Sequence, residues 1–240
     1  MKHLHILLFF TLFALGSYAQ KSKVKNLPDY DDHWLHFGFS LATNQATFVV
    51  TPVKDLSARD TVLTIIPSPK WGFNLSIVSD LRLHKYLTLR FLPALSFQDR
   101  FLNYSLIVDN AGNPDTVTFE KSVESTTIEF PFNLKLRSTR LNNVSAYMIG
   151  GMKYTIDLAS QHDVKNSTSP KDVIIKLKKH DYAFEAGFGL DYYFPYFKFS
   201  TEIKGVWGIR DLLIKENDSF SSSIDKLNSR LILISLHFEG

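Results

Sequence analysis

The chain has 240 residues, enough for one sizeable all-β domain. Its net charge is only +3, and its lysines are spread along the chain, which excludes a nucleic-acid footprint. It has no cysteine, which excludes a disulfide framework, while a mean hydropathy near zero is compatible with a membrane barrel, because half of every spanning strand is polar.

Lys2, an apolar run over residues 6–15 and the triplet Ser17-Tyr18-Ala19 read as a secretory signal peptide, residues 1–19, cut after Ala19. The run is too short to cross a bilayer as a helix. Residues 20–32 are polar and lack periodicity, so they read as a periplasmic lead-in. Residues 33–240 are then the folded domain.

Eight segments of that domain alternate with period two, the signature of half-buried strands. The first, about residues 33–44, sets Leu35, Phe37, Phe39 and Leu41 against His36, Gly38, Ser40 and Asn44. The second, about 70–80, sets Trp71, Phe73, Leu75 and Ile77 against Gly72, Asn74 and Ser76. The third, about 86–98, opposes Leu87, Leu89, Phe91, Leu95 and Phe97 to Thr88, Arg90, Ser96 and Gln98. The fourth, about 125–137, opposes Ile128, Phe130, Phe132, Leu134 and Leu136 to Thr127, Glu129, Asn133, Lys135 and Arg137. The fifth, about 144–158, is less regular, and Gly150-Gly151 suggests a bend or bulge. The sixth and seventh form a hairpin within 178–211 around a turn at Phe194-Pro195. A turn centred between those two residues would place Glu185 opposite Lys204, Asp191 opposite Lys198, Tyr182 opposite Trp207 and Leu190 opposite Phe199. The last strand, about 229–238, aligns Ile232, Ile234, Leu236 and Phe238. Assembly signals of outer-membrane barrels usually place an aromatic last; here Glu239 and Gly240 follow Phe238.

Alternation alone does not say which face points inward. The links do. Segments 45–69, 100–124, 161–176 and 212–228 are long, and the links between them are short. Membrane barrels have short periplasmic turns, long external loops and an even strand number. The expected fold is therefore all-β, an eight-stranded antiparallel up-and-down transmembrane β-barrel in the outer membrane, in contact with its lipid. The flanks of 100–124 would extend two strands as a hairpin beyond the membrane.

In that fold the polar face lines the interior. Arg90, Glu129, Lys135, Arg137, Lys153, Glu185, Asp191, Lys198, Glu202, Lys204 and Arg210 are expected there. Eight strands leave a space about filled by side chains, so a packed polar plug is expected rather than a pore, with its charges paired. Function then falls to the loops, 45–69 and 100–124 foremost, and to the two mouths. Asp31, Asp32, His33 and His36 are the candidates for the periplasmic mouth. Together with Asp29 they are the densest cluster of metal-ligand types, but they lack the H-x-x-x-H spacing beside a helical Glu and read as structural. Neither a nucleophile motif nor a phosphate-binding glycine loop stands out. No catalytic residue, cofactor or small-molecule substrate is therefore expected.

The stretch Asp29-Tyr30-Asp31-Asp32-His33-Trp34-Leu35-His36-Phe37-Gly38-Phe39 resembles the start of the PorT (SprT) family. So do Phe91-Leu92-Pro93-Ala94-Leu95-Ser96-Phe97, Glu129-Phe130-Pro131 and Gly187-Phe188-Gly189-Leu190-Asp191. The resemblance covers essentially the whole mature chain. It implies a non-enzymatic outer-membrane component of the type IX protein secretion system, partnered by other parts of that machine and associated with gliding motility in some bacteria. The residues by themselves leave open a small outer-membrane barrel of adhesin or porin-like type, a soluble lipid-binding barrel, or an outer-membrane enzyme.

Overall fold

The computed structural model describes residues 24–54, 62–110, 113–158, 175–216 and 220–240. The expected signal peptide and nearly all of segment 161–176 lie outside them. The strands are β1 (Leu35–Pro52), β2 (Val62–His84), β3 (Leu87–Phe91), β4 (Ala94–Asn110), β5 (Asn113–Arg137), β6 (Val144–Asp157), β7 (His180–Tyr193), β8 (Lys198–Gly208) and β9 (Ile224–Glu239). All neighbours are antiparallel, and β1 pairs with β9 to close the ring.

Eight passes make that ring, because β3 and β4 are one pass broken at Leu92-Pro93. Both halves pair with β2 on one side and β5 on the other. Pro93 has no N–H to give the ladder. Its carbonyl still accepts the Ile77 N–H (3.1 Å), and the Leu92 N–H reaches the Pro131 carbonyl (3.3 Å), so the wall stays continuous.

The apolar face is outside. Phe37 (58 % exposed), Phe39, Trp71 (62 %), Ile77, Phe132, Met148, Phe188, Ile203 and Ile234 all project outward. Ser40, Asn74, Ser96, Asn133, Ser200 and His237 on the opposite face are buried. A soluble barrel would reverse this arrangement, since water would otherwise meet a continuous apolar belt. Aromatic residues rim the belt at both ends: Trp71, Trp207, Tyr154 and Tyr182 at one, Trp34, Tyr192 and Tyr196 at the other. Such girdles sit at the membrane–water interfaces of outer-membrane barrels. Closing the ring leaves no unpaired sheet edge inside the hydrocarbon.

The strands on the long-loop side run well beyond the belt, and there the pattern reverses. On β1 the inward positions change from His36, Ser40 and Asn44 to Ala46 and Phe48, while Thr47, Val49 and Thr51 turn outward. On β4 they change from Ser96, Gln98 and Arg100 to Leu102, Tyr104 and Leu106. The segment of β1 below the change is about eleven residues, which at roughly 3.4 Å per residue and a tilt of about 40° spans about 25–29 Å, the height of such a belt. Above it the wall also parts. Pairing of β1 with β2 ends at Ala46↔Lys70, and pairing of β5 with β6 ends at Thr127↔Asp157. Strands β2, β4 and β5 continue outward as a three-stranded sheet, and the β4–β5 flanks form the expected hairpin down to Asn110↔Asn113.

Two local expectations are corrected. The β7–β8 hairpin is shifted by two residues, with Tyr193↔Lys198, Phe184↔Trp207 and Tyr192↔Phe199 opposed. The turn spans Phe194 to Phe197, closed by the Phe194 N–H on the Phe197 carbonyl (3.0 Å), which puts Pro195 where its fixed φ suits a β-turn. Faces are unaffected by a shift of two. At Gly150-Gly151 both ladders run without a bulge. A Cβ on Gly151 would lie 2.4 Å from the Asn133 Oδ1, so this glycine makes room for an interior side chain rather than a bend.

Candidate functional site

The lumen at membrane level is a network of ion pairs centred on Arg90, which is fully buried. Its guanidinium makes a two-pronged contact with Asp80 (Nε–Oδ1 2.6 Å, Nη2–Oδ2 2.6 Å). Nη2 also reaches Glu239 (2.8 Å), and Nη1 lies 3.6 Å from Glu202. Glu239 takes a second cation, Lys198, at 2.6 Å. Lys135 pairs with Asp191 (2.8 Å), which also accepts the Ser200 hydroxyl (2.6 Å). Toward the long-loop end, Lys204 meets Glu185 (3.1 Å) and Lys153 meets Glu129 (2.9 Å). Asn133 donates to Glu185 and Tyr147 to Glu202, each at 2.9 Å. Tyr147 fits because Gly189 faces it; a Cβ there would sit 2.4 Å from the Tyr147 ring. Buried charges persist only when paired and hydrogen-bonded, and this arrangement supplies both.

Of the residues expected inside, Arg90, Glu129, Lys135, Lys153, Glu185, Asp191, Lys198, Glu202 and Lys204 lie buried within the ring. Two do not. Arg137 is half-buried at the end of β5, on the mouth, and binds Asp31 (2.6 Å). Arg210 lies past the end of β8, exposed, donating to the His180 carbonyl (3.2 Å). Alternation continues through Arg210 in sequence, but the ladder ends at Gly208, so parity no longer determines direction there. Three central members were missed by sequence reasoning. From sequence, Asp80 marks the end of the second strand, His237 carries no distinguishing signal, and Glu239 follows the near-terminal aromatic Phe238. Glu239 shares the inward parity of Ser235 and His237, which is the signal that could have found it.

Residues 24–34 lie across the short-turn mouth. Tyr30 sits in a single 3₁₀ turn, Tyr30–Asp32, and is buried. Its ring stacks on His36 (centroids 3.9 Å apart, planes 5° apart) and meets Tyr193 edge-on. Its hydroxyl donates to Glu239 (3.1 Å), and the Lys198 ammonium lies 4.8 Å from its ring centre. Burial pushes the Tyr30 phenol's pKa well up, so it remains a neutral donor. Asn26 bonds Asn143 and Tyr193, and Arg140 donates to the Asn26 and Leu27 carbonyls. Asp31, Asp32, His33 and His36 all stand at this mouth: His36 buried under Tyr30, His33 edge-on to His36, Asp31 on Arg137, and Asp32 exposed. Among the described residues, no group of three or more His, Asp or Glu side chains is placed to hold a metal ion.

The opposite mouth is closed by an apolar cluster. Phe48, Leu102, Tyr104, Leu106, Val123, Ile224 and Leu227 point in from the wall, and Ile175, Leu177, Leu212, Leu213 and Phe220 come from the connecting segments. Leu177 and Leu213 form an isolated bridge, flanked by the Lys178 N–H on the Leu212 carbonyl (2.8 Å). Asp211 fixes this turn by accepting the Leu227 (2.9 Å) and Leu213 (3.2 Å) N–H groups. Arg100 marks the boundary between polar lumen and apolar cluster, donating to Ser125 (2.6 Å) while its guanidinium lies 4.4 Å from the Phe48 ring centre. Cavities of about 30 and 20 Å³ lie in the lumen, the smaller at the Tyr30 end; each is water-sized.

An antiparallel ring with lipid-facing apolar residues, aromatic girdles and a charged interior defines a small outer-membrane β-barrel. Residues 18–213 match the family described as outer membrane protein beta-barrel domain, and the chain belongs to that family. No curated protein sequence matches it. Among solved structures it is similar to the outer membrane protein OprG from Pseudomonas aeruginosa, at 10 % identity and a TM-score of 0.45, over 85 % of this chain and 93 % of that one. It is also similar to Neisserial surface protein A, at 9 % identity and a TM-score of 0.41, over 84 % of this chain and 95 % of that one. The attachment invasion locus protein Ail of Yersinia pestis aligns at 9 % identity and a TM-score of 0.35, over 85 % of this chain and 98 % of that one.

Proposed function

We propose that this barrel is a non-conducting anchor that presents its β2–β4–β5 sheet outside the cell as a recognition surface, a barrel of adhesin type. The observation that carries this reading is the reversal of amphipathicity along the wall. Below the reversal the lumen is filled by paired charges, with Tyr30 across one end. Above it the strands enclose an apolar core of their own, as a water-exposed domain does. A wall that continues beyond the bilayer with its own core has a rigid surface to offer, whereas a solute channel needs an open lumen. The substrate-free, non-enzymatic character expected from the sequence fits this reading.

Two measurements test it together. In planar bilayers the purified protein is expected to show no stepwise conductance. On intact cells, replacing residues 101–122 by a short turn is expected to reduce attachment to other cells or surfaces while heat-dependent electrophoretic mobility is kept. Steady ion conductance, or attachment unchanged by the trimmed sheet, would overturn the proposal.

The resemblance to the PorT family favours a second reading, a part in type IX secretion. It rests on the four quoted motifs, with no counterpart in the matched family's description. A deletion strain that retains type IX cargo inside the cell would move the recognition surface from an adhesive role to a secretory one; normal secretion would leave the adhesin reading in place.

A further inference from the structure

Beside the Tyr30 plug, outside the lumen network, a cleft of about 440 Å³ opens between the lead-in and the short turns. Its walls carry five cations, Lys25, Arg82, Lys85, Arg137 and Arg140, and two carboxylates, Asp31 and Asp32. Two of the cations are engaged: Arg137 by Asp31 and the Tyr193 hydroxyl, Arg140 by Asn143 and lead-in carbonyls. Lys25 and Arg82 make no side-chain hydrogen bond or ion pair among the described residues, and the contact shown by the Lys85 ammonium is with the Tyr86 ring (5.3 Å). Asp32 is the one carboxylate in the lining without a cation. The cleft is thus cationic, it holds unpaired donors, and its size is that of a site for a small organic ligand.

Its position narrows the ligand. It lies at the short-turn end, level with the girdle that includes Trp34. Leu83 and Leu141, the neighbours of Arg82 and Arg140, are exposed apolar side chains. A group held here sits at headgroup depth, with apolar wall beside it. Arg and Lys together are the usual partners of phosphate oxygens, which accept several charge-assisted hydrogen bonds at once. A carboxylate ligand would use fewer of these donors, and a cationic ligand would be repelled.

We infer that this cleft is a binding site for a phosphate ester, held by Arg82 at the end of β2, by Lys85 from the β2–β3 turn and by Lys25 from the lead-in. The ester comes either from an anionic phospholipid of the facing leaflet or from a soluble phosphate compound on the same side. By bridging the lead-in to the turn, the ligand also fastens the segment that carries Tyr30. The site does not depend on the adhesin reading, because it lies at the other end of the barrel.

The test uses the full chain in a nonionic detergent, with phosphatidylglycerol, phosphatidylcholine and inorganic phosphate as probes and native mass spectrometry and phosphorus NMR as readouts. Saturable binding of phosphatidylglycerol is expected, weakened about a hundredfold in Arg82→Gln/Lys85→Gln, the loss of two charge-assisted contacts at about tenfold each. The charge-matched control Lys226→Gln/Arg230→Gln, at the far end, is expected to bind as the parent does. Competition by inorganic phosphate at similar concentration assigns the site to soluble esters; competition only by lipid assigns it to the leaflet. Heat-dependent mobility shows that each variant is folded, and Lys25→Gln/Lys85→Gln, both on exposed side chains, replaces the first pair if it is not. Equal binding by cleft and control variants, or no saturable binding of any probe, would overturn the site.

Discussion

The two halves of this barrel obey opposite rules along the same strands. At membrane level the inward positions of β1, β4 and β9 are polar and the outward ones apolar; a few residues further along the inward positions become apolar on all three and polar residues enter the outward face. The β1–β9 and β4–β5 ladders run through the change without a break, so hydrogen bonding does not produce the difference. The solvent outside the wall does. Lipid removes any gain from burying apolar groups inside, and the lumen then holds whatever can pair, here Arg90, Lys198 and Lys135 with Asp80, Glu239 and Asp191. Water restores that gain, and Phe48, Leu102, Tyr104 and Leu213 move in. The reversal near Asn44 and Arg100 therefore reads as the outer boundary of the membrane.

The comparison can be broken most severely at the centre of the polar half. Arg90→Met leaves Asp80, Glu202 and Glu239 facing one another without their shared cation and is expected to cost about 3–5 kcal/mol, read as a lowered urea midpoint in lipid vesicles. In the apolar half, Leu213→Ala removes a buried side chain and is expected to cost about 2–4 kcal/mol, but locally. Limited proteolysis should then release fragments from the external end while the membrane-level ring stays intact.

The boundary itself is sharpened by placing one charge on each side of it. Phe39→Arg sets a cation on the lipid face and is expected to cost about 2–4 kcal/mol, whereas Val49→Arg, ten residues further along the outward face, should cost less than about 0.5 kcal/mol. Equal costs would remove the distinction between the two zones.

The smallest effect is expected from acid. Partial burial raises the pKa of the Asp211 carboxylate, but the Leu227 and Leu213 N–H groups and the nearby Lys178 ammonium outweigh it and hold the pKa below the usual carboxylate value. A depressed carboxylate stabilises the fold at pH above its unfolded value, about 4, and that contribution is lost as pH falls through the lower folded value. Below about pH 4 the external cluster should loosen before the ring does, and Asp211→Asn should abolish that early step.

Much of this was legible in the sequence for a simple reason. Period-two alternation survives any register shift of two, so faces, strand number and nine interior charges could be read without knowing which residues oppose each other. The same insensitivity hid the β7–β8 register, which depends on where Pro195 sits in its turn. Arg210 departs from its expected place because the ladder ends at Gly208, beyond which parity no longer sets direction. The apolar cluster was invisible for the converse reason: the flanks of 100–124 are expected as a hairpin beyond the membrane, but the sequence assigns them no inward face, so the parity of Leu102, Tyr104 and Val123 points nowhere. Tyr30 lies 209 residues from Glu239, and no local pattern announces that contact.

The absence of cysteine makes the central claim directly measurable, because any thiol introduced is unique. Single cysteines at Phe39, Ser40, Leu41, Thr47, Phe48 and Val49, in protein reconstituted into vesicles, would be tested with a water-soluble maleimide and, after labelling in detergent, with a lipid-phase nitroxide quencher. The account predicts that positions 39 and 41 are quenched by lipid and shielded from the maleimide, that 47 and 49 react with it and escape quenching, and that 40 and 48 are shielded from both. Lipid quenching at 40, or equal lipid exposure at 41 and 49, would contradict it.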